Sequence, residues 1–252
     1  MDSTLRYVLL GSCFAQNIGQ RMCRDGWDAV VNPLGTLYNP ESLRSCLSQA
    51  LEGGELPLFF DEDMQEWRCW LANTHFRASS REECALLVGE AFAALRDRLL
   101  AADILILTLG TNVVYTIPSP VCPGKPLVVA NCQRQPDRLF REERMDVAGV
   151  TASLLELLRC QHRHNPRCRV LLTVSPYRYR KYGLHGNALS KAVLLLAVEN
   201  VQREHPSVMY FPSFEIMIDE LRDYKFYASD GLHPSEEAID ILWKRFQEFP
   251  IG

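Results

Sequence analysis

The chain has 252 residues, 47% of them hydrophobic, and a formal net charge of −4. That hydrophobic share supplies a sizeable core and excludes a disordered chain. The slight acidity and the lack of a long basic run exclude a nucleic-acid partner, since the densest basic cluster, Arg178-Tyr179-Arg180-Lys181, is too short for one.

The pattern begins with an apolar run, Tyr7-Val8-Leu9-Leu10, that reads as a buried parallel strand. Gly11 breaks it, and Phe14, Ile18 and Met22 then repeat at helical spacing. A second strand is expected at Ala29-Val30-Val31, followed by a loop punctuated by Pro33 and Gly35 and a helix over 41–52 ended by Gly53-Gly54. Residues 55–79 form an aromatic-rich insertion, with 59–60 predicted to pair with 67–71 as a hairpin or long loop, placed to cover a site as a lid. A helix over 80–100, capped by Ser79 or Ser80, precedes the clearest buried strand, Ile104-Leu105-Ile106-Leu107-Thr108-Leu109, which stops at Gly110-Thr111-Asn112.

Residues 117–140 carry Pro118, Pro120, Pro123, Pro126 and Pro136 and are expected to be irregular. A long helix over 142–163, a strand over 170–174 ending at Ser175-Pro176, a helix over 187–204 and a short strand over 208–211 follow. A helical turn is expected within 213–222 and a turn over 230–235, after which Ser235 starts the final helix. The alternation predicts one α/β domain over 1–252: a three-layer αβα sandwich around a five-stranded, mostly parallel sheet, flavodoxin-like in its 2-1-3-4-5 order.

The 9 cysteines include no C-x-x-C pair, which suits free thiols in a reducing, cytoplasmic compartment. No four-ligand zinc spacing and no phosphate-binding Gly-rich motif is present, so neither a metal nor an organic cofactor is expected. The first six residues lack a signal-peptide core, and no stretch reaches membrane-spanning length.

Three features converge on the carboxyl edge of the predicted sheet, where open α/β folds build their sites. Ser12 follows the first strand, Asn112 the third, and Asp230 and His233 the last. Together they suit acyl transfer: Ser12 as nucleophile, His233 as its base and Asp230 as the group that orients the imidazole. The backbone N–H groups of Ser12 and Gly35 and the Asn112 amide are the candidate oxyanion donors. A serine at this position also suits a plain helix cap. Cys13, next in the chain, is the alternative nucleophile. Candidate substrate-binding residues are His75 in the insertion, Arg178 after Pro176, and Asn187 and Lys191, which share a helix face. A tether from these last two to a loop is the competing role.

Gly11-Ser12-Cys13-Phe14-Ala15 resembles the signature of the GSCFA domain family, itself similar to the SGNH (GDSL-like) hydrolases. The segments 32–40, 108–111, 175–191 and 210–235 resemble its further blocks, so the likeness spans residues 8 to 246. The nucleophile block here is Gly-Ser-Cys rather than Gly-Asp-Ser, and Val113 stands where an Asp commonly follows the Asn of the wider superfamily. The resemblance implies a serine esterase or deacetylase that cleaves an O-acyl ester of a sugar or small molecule through an acyl-Ser12 intermediate. An O-acyltransferase with the same triad and a non-catalytic binding module are the alternatives. The implied partner is a small-molecule or glycan ester, and a homo-oligomer is left open.

Overall fold

The computed structural model describes residues 1–250. In chain order the elements are β1 (Arg6–Gly11), α1 (Cys13–Arg24), β2 (Asp28–Val31), α2 (Pro40–Glu52), β3 (Leu58–Asp61), β4 (Glu66–Cys69), β5 (Arg77–Ala78), α3 (Arg81–Ala101) and β6 (Ile104–Leu109). The chain continues through β7 (Val113–Pro118), β8 (Pro126–Val128), β9 (Arg141–Arg144), α4 (Val147–His164), β10 (Arg169–Val174), α5 (Gly183–Glu204) and β11 (Met209–Tyr210). It ends with a short α6 (Ser213–Glu215), a π-helical turn over Ile216–Glu220, and α7 (Glu236–Glu248).

The main sheet is five-stranded, in the order β11-β10-β6-β1-β2, and every pairing is parallel. Counting only these strands, this is the expected 2-1-3-4-5. Side chains alternate between its two faces, as the period of a strand requires. Tyr7 and Leu9 of β1 join Ile104, Ile106 and Leu171 against α1 and α7. Val8 and Leu10 join Leu105, Leu107 and Leu172 against the layer of α2, α3, α4 and α5. Both faces are covered, which is why the central strands read as unbroken apolar runs.

The register brings three strand ends level. Gly11 lies beside Thr108, and Thr108 beside Thr173, so β1, β6 and β10 end together. The turns after them open onto one edge.

Two smaller sheets decorate this frame. The insertion forms a three-stranded antiparallel sheet, β3-β4-β5, with Phe60 opposite Trp67 as expected. It is pinned to the body through Ala130 N–H to the Trp70 carbonyl at 2.8 Å and Asn73 N–H to the Leu34 carbonyl at 2.8 Å. A buried ion pair, Arg68 to Asp61 at 3.2 Å, sits inside it. The proline-rich stretch, expected to be irregular, instead contributes to a second sheet, β8-β7-β9. The expected helix over 142–163 accordingly starts later, at an Asp146 cap that accepts from Gly149 N–H, because 141–144 pairs with β7 instead.

All 9 cysteines are free. Burial pushes the thiols of Cys46 and Cys69 up to about 12, which keeps them protonated and inert. No helix among the described residues is long and apolar enough to cross a membrane.

Candidate active site

The strand-to-helix turn at Ser12 depends on Gly11. Its φ is +146°, and a Cβ there would meet the Thr108 carbonyl oxygen at 2.4 Å. Only glycine fits both the conformation and the space. Ser12 then caps α1, its Oγ accepting from Phe14 N–H at 3.3 Å, and it is fully buried. The cap is thus present, and because Oγ is the acceptor in it the cap does not use the hydroxyl proton. Cys13 is partly exposed, with Sγ 3.7 Å from the Tyr38 hydroxyl.

Gly110 backs Ser12 from the end of β6. A Cβ on Gly110 would lie 2.9 Å from the Tyr38 carbonyl oxygen and 3.5 Å from Ser12 Cβ. That Tyr38 carbonyl accepts from both Gly110 N–H at 2.9 Å and Thr111 N–H at 2.8 Å. The 32–38 loop is therefore stitched across the strand ends.

The Asp230–His233 turn is tight and internally bonded. His233 Nδ1 lies 2.5 Å from Asp230 Oδ2, while Asp230 Oδ1 accepts from Leu232 N–H at 2.8 Å and His233 N–H at 3.0 Å. The His233 bond, then these two backbone donors, hold the Asp230 carboxyl down at about 2. A bridge between Tyr227 and Pro234, with Ala228 N–H to the His233 carbonyl at 2.8 Å, closes the turn. With Nδ1 engaged by the carboxylate, Nε2 is the ring nitrogen left for other chemistry.

The loop after β10 braces this turn. Arg178 N–H donates to the Leu232 carbonyl at 3.1 Å, and the Arg178 guanidinium lies 3.9 Å from the Tyr227 ring centroid. The Tyr177 ring sits 4.3 Å from the His233 ring. Burial raises the pKa of Tyr177, with the nearby Asp230 carboxylate a lesser cause. Tyr179 packs edge-on to both Tyr177 and Tyr38. Sequence reasoning does not single out these tyrosines; the only signal for them is the run Tyr177-Arg178-Tyr179-Arg180-Lys181-Tyr182, which draws attention by its charge.

The expected oxyanion donors are engaged elsewhere. Ser12 N–H donates to the Thr108 carbonyl at 3.2 Å, continuing the sheet ladder, and Gly35 N–H closes a turn onto the Asn32 carbonyl at 2.8 Å. Asn112 Nδ2 donates to the Met145 carbonyl at 2.6 Å, because its backbone is held by Ser190 Oγ at 3.1 Å and points the side chain into the start of α4. The N–H of Cys13, at the first position of α1, has no acceptor among the described residues, as helix geometry dictates for a first-turn donor.

The four substrate-binding candidates fare differently. His75 is exposed, in the turn before β5, with its N–H on Asn73 Oδ1 at 3.0 Å. Arg178 reaches the His233 turn through its main chain. Asn187 Oδ1 accepts from Tyr179 N–H at 2.9 Å. Lys191 is 1% exposed, and its Nζ donates to the carbonyls of Gly110 at 2.7 Å and Ser175 at 2.8 Å. In this structure the polar ends of Asn187 and Lys191 both bind main-chain groups of the loops beside them, the arrangement a tether would have.

A parallel α/β sheet with a capped serine and an Asp–His pair on its carboxyl edge defines the architectural class. Within it, the chain belongs to the GSCFA family, whose match covers residues 6–246. No curated protein matches the chain. Among solved structures it is similar to a Streptococcus pneumonia protein whose name associates it with platelet activating factor, at TM-score 0.52 and 15% identity, covering 97% of this chain and 83% of that one. It is also similar to a structural-genomics target from Lactobacillus plantarum, at TM-score 0.50 and 13% identity, covering 99% and 97%. A carbohydrate esterase family 3 protein from Talaromyces cellulolyticus aligns at TM-score 0.41 and 10% identity over 97% and 95%. At these identities the likeness to the first two is one of fold alone.

Proposed function

We propose that the chain is a serine esterase or deacetylase acting on an O-acyl ester of a sugar or other small alcohol. The observation that supports this most is the His233 Nδ1 to Asp230 Oδ2 hydrogen bond of 2.5 Å, on the sheet edge where Ser12 opens α1. A carboxylate on Nδ1 fixes one tautomer and stabilises the imidazolium that forms when Nε2 takes a proton.

The reaction then runs in two halves. Ser12 Oγ attacks the acyl carbonyl carbon while its proton passes to His233 Nε2. The tetrahedral oxyanion is met by the Cys13 N–H and the positive end of α1. One such donor is worth roughly 3 kcal/mol in the transition state. Collapse breaks the bond to the alcohol, which leaves with the proton from Nε2. Water, deprotonated by the same nitrogen, then attacks acyl-Ser12 and releases the acid, restoring the hydroxyl.

A second reading, an O-acyltransferase, is favoured by one observation: Ser12 is fully buried. A nucleophile shielded from water suits an acyl-enzyme that waits for an acceptor hydroxyl. The test is incubation of the protein, Ser12→Ala and His233→Ala with an activated phosphonate probe and with aryl acetate, butyrate and octanoate esters. Labelling at Ser12 with turnover lost in both variants supports the esterase. Labelling without turnover until an alcohol is added supports the transferase. No labelling and no turnover leaves a binding module.

A further inference from the structure

Lys191 is the charged side chain that folding hides most completely among the described residues, at 1% exposure. Burying an amine is unfavourable unless its hydrogens find acceptors. Here they find two main-chain carbonyls, Gly110 at 2.7 Å and Ser175 at 2.8 Å, with the Phe214 ring 5.9 Å away on the remaining side. Burial is the single cause that lowers its pKa, to about 7, so no carboxylate compensates it. The titratable groups on the flanking strand end and α6 answer each other instead, the Tyr210 hydroxyl donating to the Glu215 carboxylate at 2.8 Å. A neutral amine has two N–H donors, which is the number of carbonyls present.

The two carbonyls sit where the sheet stops holding itself. The last ladder bond between β6 and β10 runs from Ser175 N–H to the Leu109 carbonyl at 2.8 Å. Beyond it the chains part, and the Gly110 and Ser175 carbonyls lack backbone donors. Each belongs to the support of a different catalytic candidate. Gly110 packs against Ser12, and Ser175 leads through Pro176 to Tyr177, whose ring lies 4.3 Å from that of His233.

We propose that Lys191 is a positioning residue for the Ser12–His233 pair: by binding the Gly110 and Ser175 carbonyls together it sets the spacing of the two strand ends that carry the supports of the nucleophile and of its base. The proposal rests on the esterase reading. Asn187 and Ser190, on the same stretch of α5, extend the brace to Tyr179 N–H and Asn112 N–H.

The test is Lys191→Met, which keeps an unbranched side chain one atom shorter and removes the donors, compared with wild type and Ser12→Ala. Folding is followed by circular dichroism and melting, and Ser12 chemistry by phosphonate labelling rate and ester kinetics. The expected result is a folded variant whose labelling rate and kcat fall about 10²-fold, as misplacement by about 1 Å produces, with KM within about twofold. Wild type that labels, beside a folded variant that labels at the same rate, overturns the positioning role and leaves the esterase reading intact. Wild type that does not label overturns the esterase reading and the proposal with it. If Lys191→Met does not fold, wild type labelled with ¹⁵N-lysine decides. The Lys191 Nζ resonance is expected to shift when Ser12 is phosphonylated, and a resonance that stays in place overturns the proposal.

Discussion

The ring of Tyr177 lies 4.3 Å, centroid to centroid, from the imidazole of His233, inclined at 47°. The contact supports the face of a side chain that is otherwise held by one hydrogen bond to Asp230. Tyr177→Ala is expected to lower kcat about tenfold through looser orientation of the imidazole. Tyr177→Phe, which keeps the ring, is expected to stay within about twofold. Ester kinetics on the two variants check this.

Asp230→Asn replaces an acceptor-only carboxylate by an amide that favours the wrong tautomer of His233. On the esterase reading kcat falls by up to about 10⁴-fold while the fold is retained. The measurement is turnover beside a thermal melt.

Acid should also act through Asp230. Its folded pKa, about 2, lies below its ordinary 3.8. The unfolded chain therefore binds the proton first. The stabilisation is fully present above pH 4 and is lost as pH falls from there through about 2. Melting wild type and Asp230→Asn between pH 5 and 2 is expected to show wild type losing its margin in that window (about three pH units).

Lys191 acts in the opposite pH range. Its amine is held at about 7 in the folded chain against 10.5 in its ordinary state. Between those values the unfolded chain carries the extra proton, so stability rises with pH, by up to about 1.4 kcal/mol per unit. Below pH 7 the full penalty is present. The melting temperature of wild type minus that of Lys191→Met is expected to climb from pH 7 to pH 9 and to be flat below. A flat difference throughout would mean that the amine is not sealed from water.

Gly11→Ala is expected to destabilise by about 3 kcal/mol or more, because it adds a strained φ to a clash with the Thr108 carbonyl. Gly26→Ala, also at positive φ but with open space around it, should cost about 1 kcal/mol. Chemical denaturation of both variants separates the clash from the conformational effect.

The centre of the sheet was legible because β1, β6 and β10 are mostly apolar runs cut off by glycine or by Ser175-Pro176, a pattern that burial on both faces sustains. The β7-β8-β9 sheet was not. Its β9 strand reads Arg-Glu-Glu-Arg and is largely exposed, so no hydrophobic period marks it; it is held by main-chain pairing to β7. The Ser12, Asp230 and His233 positions could be read because turn residues punctuate strand ends. The partners that Ser12 N–H, Gly35 N–H and the Asn112 amide take within the chain could not be read, since which N–H groups are left over depends on how the 32–38 loop and α4 satisfy their own polar groups. Lys191 was visible as a helix residue, but its depth was not, because nothing in a lysine's immediate neighbours tells whether its amine meets water or two carbonyls.

The central claim is that Ser12 is an acyl-accepting nucleophile activated by His233. The most direct measurement is mass-spectrometric mapping of a fluorophosphonate adduct on wild type, Ser12→Ala and His233→Ala. The account predicts an adduct on the Ser12 peptide of wild type, none in Ser12→Ala, and labelling slowed by about 10³-fold or more in His233→Ala. An adduct on Cys13 or elsewhere, or labelling that persists in Ser12→Ala, would contradict it.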